Sequence, residues 1–144
     1  MPRGRVSAIR SRIMAAIHGK DTKPEMLVRR ALHAAGLRYR LHQRDLPGRP
    51  DVVLTRIRTV VLVHGCFWHH HGCRYSSWPK TRRDFWRKKI ENNVARDART
   101  RFFLRAAGWR VEVIWECELR SGSPLRRLVA RLLARRARHN REIA

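Results

Sequence analysis

Acidic residues are scarce in this chain. Its 144 residues include only 11 Asp and Glu but 34 Lys and Arg, which gives a formal net charge of +23. A charge this unbalanced repels itself unless an anionic partner lies on the surface. Codon usage in a GC-rich genome explains arginine in place of lysine, but it does not explain the shortage of acids. Nucleic acid is therefore the partner class that the composition favours, because each neutralised phosphate releases counterions.

Long apolar runs are lacking as well. The longest covers residues 59–63, which is far too short to span a bilayer. Residues 1–12 are basic but have no apolar stretch of the kind found in signal peptides. We therefore expect a cytoplasmic protein associated with the nucleoid. At 43% hydrophobic residues the chain has enough apolar side chains for one modest core.

Cysteine is also rare, and the three that occur, Cys66, Cys73 and Cys117, cannot all pair within the chain. Cys66 and Cys73 flank a run of three histidines, residues 69–71. Two cysteines and one histidine on a loop, with a remote cysteine, make the four N/S ligands of a closed structural zinc site. Spacing does not choose among the three histidines, and we assign His71. The alternative is buried free cysteines beside a chance histidine run.

Apolar periodicity and turn residues predict the order helix, three strands, helix, strand, helix, which indicates an α/β layer with a mixed sheet. The first helix begins near Thr22 and ends at Gly36, and the last begins at Pro124. The predicted strands cover residues 37–41, 51–54, 57–63 and 109–118. The long helix covers residues 84–107, with an apolar stripe that contains Phe85 or Trp86, Ile90, Val94, Ala98 and Phe102. We predict a basic N-terminal arm (residues 1–20), one domain (21–120) and an arginine-rich C-terminal helix (121–144) packed on or extending from that domain.

Candidate catalytic residues cluster around two strand ends. Asp51 opens one core strand, and the next ends at Val63 beside His64. A carboxylate next to the main chain of an adjacent strand can hold Mg²⁺, and a histidine can act as the base for hydrolysis. The simpler interpretations are a turn carboxylate and metal-bound or solvated histidines. Spacing alone therefore leaves open a zinc-stabilised DNA-binding module with no catalytic activity.

Several ordered motifs closely resemble those of the very-short-patch repair (Vsr) endonucleases, from about residue 10 to residue 119. The motifs are residues 46–51 (LPGRPD), 64–73 (HGCFWHHHGC), Phe85-Trp86, Lys89-Ile90, Asn93, Arg96-Asp97, 108–111 (GWRV) and 115–117 (WEC). The resemblance implies a restriction-endonuclease-like fold, with a central mixed sheet flanked by helices and a structural zinc site. It also implies a monomer that nicks double-stranded DNA 5′ to the thymine of T·G mispairs, which arise when 5-methylcytosine deaminates. Contacts with other mismatch-repair proteins are a further expectation.

The same resemblance assigns roles to individual residues. Asp51 and the backbone carbonyl of Val63 look like the magnesium ligands, and His69 looks like the general base. His64 and Glu25 look like supporting catalytic groups. The zinc ligands would be Cys66, His71, Cys73 and Cys117, and the aromatic residues that wedge into DNA would be Phe67, Trp68 and Trp86.

Chemical reasoning favours some of these roles and leaves alternatives for others. The strand at residues 60–63 carries neither a second carboxylate nor a lysine, so a cutting enzyme would need a histidine base. We expect Phe67 and Trp68 to be exposed in a polar loop rather than packed in the core. Glu25 could instead close a capping box with Thr22, and Trp86 could lie on the apolar stripe of its helix. Asp97 could orient a histidine or pair with a neighbouring arginine.

Overall fold

A computed structural model of the chain describes residues 22–69, 71–74, 76 and 78–144. The predicted N-terminal arm, residues 1–20, lies outside the described residues. The elements are α1 (Lys23–Ala34), β1 (Arg40–Leu41), β2 (Val52–Leu54), β3 (Thr59–His64), α2 (Cys66–His69), α3 (Arg83–Ala106), β4 (Arg110–Trp115) and α4 (Ser123–Glu142), with 3₁₀ turns at Thr55–Ile57 and Glu116–Arg120. Within this described part, none of the helices is both long and apolar enough to cross a membrane.

The four strands form one sheet in the order β1-β2-β3-β4. The pairs β1–β2 and β2–β3 are antiparallel, and β3–β4 is parallel with His64 opposite Trp115. This arrangement confirms the predicted mixed sheet between helices. Because β3 and β4 are parallel, their carboxyl ends meet at one edge of the sheet. The histidine-rich segment after β3 and Cys117 after β4 therefore lie close together.

Both faces of the sheet are covered, which explains the unbroken run of β-branched and leucine residues in β2 and β3. On one face α1 and α4 pack through Leu32, Leu128 and Leu132 against strand residues that include Val52. On the other face Leu104 of α3 packs against Val53 and Val60. Helical spacing predicts an apolar stripe of Leu125, Leu128, Val129, Leu132 and Leu133 for the last helix, and these residues of α4 do join this core.

Helix α1 begins and ends where the sequence predicts. The hydroxyl of Thr22 accepts a hydrogen bond from the amide of Glu25, and Gly36 adopts a left-handed φ of 74°. The amide of Gly36 then donates to His33, and the amide of Leu37 donates to Leu32. These two bonds form a Schellman cap, which recruits Leu37 to the end of the helix. For this reason the predicted strand at residues 37–41 is reduced to Arg40–Leu41.

The apolar stripe predicted for α3 is confirmed at Ile90 but wrong at Val94, Ala98 and Phe102. Phe85, Val94 and Phe102 are exposed, whereas Ile90 and Leu104 are buried. The side of α3 that faces the loop after β3 carries polar residues: Asn93 donates a hydrogen bond to the carbonyl of Trp68, and Asp97 also bonds this loop. A search for apolar periodicity cannot find a face that is buried through polar contacts. The predicted strand at residues 109–118 is also too long, because the chain turns into a 3₁₀ helix after Trp115.

Candidate active site and metal centre

The carboxylate of Asp51 lies against the main chain at the end of β3. Asp51 directly precedes β2, and its Oδ2 accepts a hydrogen bond from the amide of Val63 at 2.8 Å. The antiparallel register, in which Val52 is opposite Val61, brings these residues together across two strands. The side chain therefore lies next to the residue whose carbonyl was predicted to share its metal.

Glu25 supplies a second buried carboxylate from α1. Its Oε2 accepts a hydrogen bond from Arg29 at 2.7 Å and lies 3.4 Å from Nε2 of His42. The side chain thus contacts Arg29 and lies beside His42, while the Thr22 hydroxyl caps the helix through the amide of Glu25. Oxygen and nitrogen atoms of Glu25, His42 and Asp51 lie within 4.8 Å of one another.

This pair of carboxylates is suited to a cation. Burial, with the nearby charge of Glu25 as a smaller contribution, raises the pKa of Asp51 to about 7, although the Val63 amide acts in the opposite direction. Two acids in one partly buried space repel each other when both are ionised. A divalent ion with a preference for oxygen ligands would relieve that repulsion, so the donor set fits Mg²⁺.

His42 is a member of this group that sequence reasoning missed. The alternation of residues 37–41 places it with Arg38 and Arg40 on a solvated strand face. In the structure His42 has a left-handed φ of 45°, which turns it out of the strand. Its Nε2 then lies 3.1 Å from Nη2 of Arg29, and its amide donates to the carbonyl of Asp51. No local signal in the sequence indicates this turn.

Three residues from three elements form the second half of the site: His64 from β3, His69 from α2 and Asp97 from α3. The rings of His64 and His69 are stacked, with centroids 3.9 Å apart and planes inclined by 6°. The helical turn α2 brings His69 back over His64, which ends β3. Nδ1 of His69 is bonded to the carboxylate of Asp97 on α3. Of the interpretations that the sequence leaves open for Asp97, the one in which it orients a histidine agrees with this contact.

His64 is buried within this group and stays uncharged. Burial is the main cause that lowers the pKa of His64 to about 3, and repulsion between the two imidazoles when both are protonated adds to it. Its Nδ1 is buried and has no hydrogen-bond partner among the described residues. The lowered pKa favours a neutral ring for His64, which packs on the ring of His69.

The predicted wedge residues form one aromatic cluster beside the histidines. Ring centroids of Phe67 and Trp68 are 4.9 Å apart, and Trp86 on α3 lies 5.6 Å from Phe67 and 5.7 Å from Trp68. Trp68 is only 4% exposed, so the expectation that it is exposed in a loop is wrong. Residues 66–69 form a helical turn that packs Trp68 against α3, while Phe67 and Trp86 are half-buried.

The four predicted zinc ligands come together at the same sheet edge. Nε2 of His71 lies 3.5 Å from Sγ of Cys66 and 3.2 Å from Sγ of Cys117. With Cys73, their ligand atoms lie within 4.8 Å of one another. The choice of His71 is consistent with the bond between His69 and Asp97, since His69 is occupied elsewhere. His70 lies outside the described residues.

The surroundings of these sulfur atoms suit a metal thiolate centre. The amide of Cys117 donates to Sγ of Cys66 at 3.3 Å, and the hydroxyl of Ser76 lies 3.4 Å from Sγ of Cys73. The ring of His71 is stacked on Trp115 at 3.8 Å. Burial and the neighbouring thiols raise the pKa of Cys66 to about 12. A cation is what this cluster needs to hold thiolates, so the donor set fits zinc.

Comparison with known proteins agrees with the motifs. The family model described as "DNA mismatch endonuclease Vsr" matches residues 6–75. A relative named "DNA mismatch endonuclease Vsr" from Escherichia coli strain K12 is 46% identical over 118 residues, which cover 82% of this chain and 76% of that protein. This chain belongs to the Vsr family of DNA mismatch endonucleases. The resemblance stated from its motifs is confirmed.

Two further relatives of this chain carry names that describe nicking. A protein from Xanthomonas oryzae pv. oryzae named "Type II nicking enzyme V.XorIIP" is 53% identical over 83% of this chain and 86% of its own length. One from Neisseria meningitidis named "Type II nicking enzyme V.NmeAIP" is 44% identical over 86% of this chain and 89% of its own length. The chain is therefore a nuclease that acts on DNA. In this Vsr-family protein, the His64/His69/Asp97 group and the four-residue Cys/His group lie at the edge of the sheet where the parallel strands β3 and β4 end.

Proposed function

We propose that this Vsr-family endonuclease nicks DNA 5′ to the thymine of T·G mispairs that arise from deamination of 5-methylcytosine, and so initiates very-short-patch repair. The observation that carries the proposal is a continuous path of contacts at one sheet edge. Asp51 bonds Val63, and the next residue, His64, stacks on His69, which in turn bonds Asp97. This path supports a carboxylate for a metal and an oriented base that act on the same phosphodiester bond. A restriction-endonuclease-like arrangement of the sheet is part of the proposal.

Magnesium would be held by the carboxylate of Asp51 and the backbone carbonyl of Val63, with Glu25 beside them. When bound, the ion supplies charge that polarises the scissile phosphate and stabilises the leaving oxygen. Glu25 keeps Asp51 in a buried, acid-rich setting that favours a cation. Arg29 and His42 in turn hold the carboxylate of Glu25 in place.

His69 would take the proton from the attacking water. Asp97 accepts the Nδ1–H of the ring, which leaves Nε2 as the atom able to accept a proton. The negative charge of the Asp97 carboxylate, beside Nδ1, also stabilises the imidazolium that forms. His64 is neutral and nearly parallel to the ring of His69, so it restrains the plane of the base without adding charge.

Selectivity for a mispair would come from the aromatic cluster next to this base. Inserting an aromatic side chain costs a few kcal/mol of base unstacking, and the cost is lowest at a mispaired step. Phe67 and Trp86 are half-buried and packed on the buried Trp68. We assign the wedge to Phe67 and Trp86, with Trp68 as the platform that stiffens them.

Zinc bound by Cys66, His71, Cys73 and Cys117 would hold rigid the segment that carries the proposed wedge residue Phe67 and the proposed base His69. Cys66 and His71 bracket the segment that carries both Phe67 and His69. Through the same ion, Cys117 would connect this segment to the end of β4. A closed four-ligand centre has a structural role, so this zinc would fix geometry and take no part in the cleavage.

The proposed function predicts nicking of a T·G duplex in Mg²⁺ and much slower nicking of the fully paired duplex of the same sequence. Denaturing gels of an end-labelled strand measure both the rate and the position of the cut. Equal rates on the two duplexes would point to a nuclease without mismatch preference. Tight binding without nicking in any divalent metal would instead favour the DNA-binding module that the sequence alone leaves open.

Replacing Asp97 by asparagine should slow nicking about 100-fold, the lower end of what a general base contributes, because an amide in place of the carboxylate no longer fixes the Nδ1–H tautomer of His69. Affinity for the T·G duplex should stay unchanged, since Asp97 touches His69 and not the DNA-facing aromatic residues. Single-turnover nicking and a binding titration separate the two effects. Asp84→Asn, an exposed acid in the first turn of the same helix, is the control. Equal effects of both variants would contradict a positioning role.

A further inference from the structure

An arginine-lined cavity of about 360 Å³ opens at the end of the sheet opposite the candidate active site. Five of its lining residues are arginines and one is an acid. They are Arg56, Arg58, Arg110, Arg135, Arg138 and Glu142. The turn before β3, the first residue of β4 and the last turns of α4 supply these side chains.

The cavity is separate from the site described above. β3 and β4 are parallel, so the residues that precede them lie at one end and His64 and Trp115 lie at the other. Six residues of extended strand span about 17 Å. No residue assigned above to metal binding, catalysis or the aromatic cluster lines this cavity.

Two of the arginines have partners within the protein. Arg58 donates to the carbonyls of Ala107 and Gly108 at the end of α3, and Arg135 donates to Glu112 at 2.6 Å. These contacts fix the walls of the cavity. These contacts are structural, and they involve only two of the five arginines that line the cavity.

The remaining three arginines lack such partners. The side chains of Arg56, Arg110 and Arg138 make no hydrogen bond or ion pair with another residue in the part of the chain that the structure describes. Glu142 is the one acid in the lining, so the five arginines give it a formal charge of +4. Convergence of like charges costs free energy unless an anion neutralises them.

We propose that this cavity binds phosphate groups. The guanidinium group offers a planar pair of donors that matches phosphate oxygens, and charge-assisted bonds of this kind are the strong ones. The volume lies at the lower end of the range for ligand sites, which suits a few linked phosphates. These phosphates come either from a free oligophosphate or from a stretch of DNA backbone remote from the nicked bond.

The test is calorimetric titration of the full-length protein with inorganic tripolyphosphate at low salt. We expect the double variant Arg56→Gln/Arg138→Gln to bind about tenfold more weakly than wild type, because two charge-assisted contacts are lost. The control, Arg30→Gln/Arg99→Gln, removes the same charge from exposed arginines on α1 and α3 and should stay close to wild type. Equal weakening in both variants would overturn the proposal, because it would show that only diffuse charge acts.

Binding of a fully paired duplex separates the two sources of phosphate. If DNA backbone fills the cavity, the Arg56/Arg138 variant loses more duplex affinity than the control and shows a smaller salt dependence. If a free oligophosphate fills it, both variants lose the same duplex affinity, and tripolyphosphate binding still separates them. The titration contains no DNA, so failure to nick a T·G duplex would bear on the proposed function alone.

Discussion

Replacing Asp51 by alanine should reduce nicking of a T·G duplex about a thousandfold or more. A metal that stabilises charge on the scissile phosphate contributes several kcal/mol, and each 1.36 kcal/mol is a factor of ten in rate. Asp51 is the residue through which the proposed ion would be held beside Val63, and β3 offers no other carboxylate to replace it. Single-turnover nicking at saturating Mg²⁺ measures the loss.

Two companion variants make the result specific. Asp51→Asn keeps an oxygen that can accept the hydrogen bond from Val63, so it should fold normally and still lose most activity. Asp45→Ala removes an exposed acid from the preceding turn and should nick like wild type. If Asp51→Ala cut DNA at the wild-type rate, the proposed metal site would have to be abandoned.

Replacing Cys117 by serine should remove bound zinc and lower the midpoint of thermal unfolding by about 10 °C or more. Structural zinc contributes directly to folding free energy, and a loss of a few kcal/mol shifts the midpoint by that amount in a chain of this size. Cys117 joins β4 to the segment that carries Cys66 and His71, which are 51 and 46 residues away along the chain. Elemental analysis and calorimetry give the two readouts.

A strong chelator provides the control for this experiment. It should lower the unfolding midpoint of the wild-type protein towards that of Cys117→Ser and leave the variant unchanged. His33→Gln, which alters an exposed histidine on α1, should keep its zinc and its midpoint. A Cys117→Ser protein with one zinc per chain would show that this cysteine is not a ligand.

Local patterns in the sequence predicted the elements whose causes are local. The Thr22 cap and the glycine at position 36 bound α1 because both act within one helical turn. The leucine stripe of α4 was readable because its buried residues recur at helical spacing. The three cysteines could be singled out as candidate zinc ligands because few residue types bind zinc and the chain has no other cysteine, whereas spacing left the histidine open.

Contacts between distant residues needed the tertiary structure. Asp97 meets His69 across 28 positions because α3 packs beside the turn α2. His42 joins Glu25 and Asp51 because its own backbone adopts a left-handed conformation, which turns it out of the strand. Trp68 is buried because residues 66–69 become helical and pack on α3.

The sequence by itself thus determined the family, the order of the elements and the types of group available for metal binding and hydrolysis. The tertiary structure decided which of those groups face one another, and it created the arginine-lined cavity from three separate segments. The physical reason is the separation along the chain over which each effect acts. Backbone sterics and helical or strand periodicity act over a few residues, whereas the approach of two side chains far apart in the chain depends on how whole layers pack.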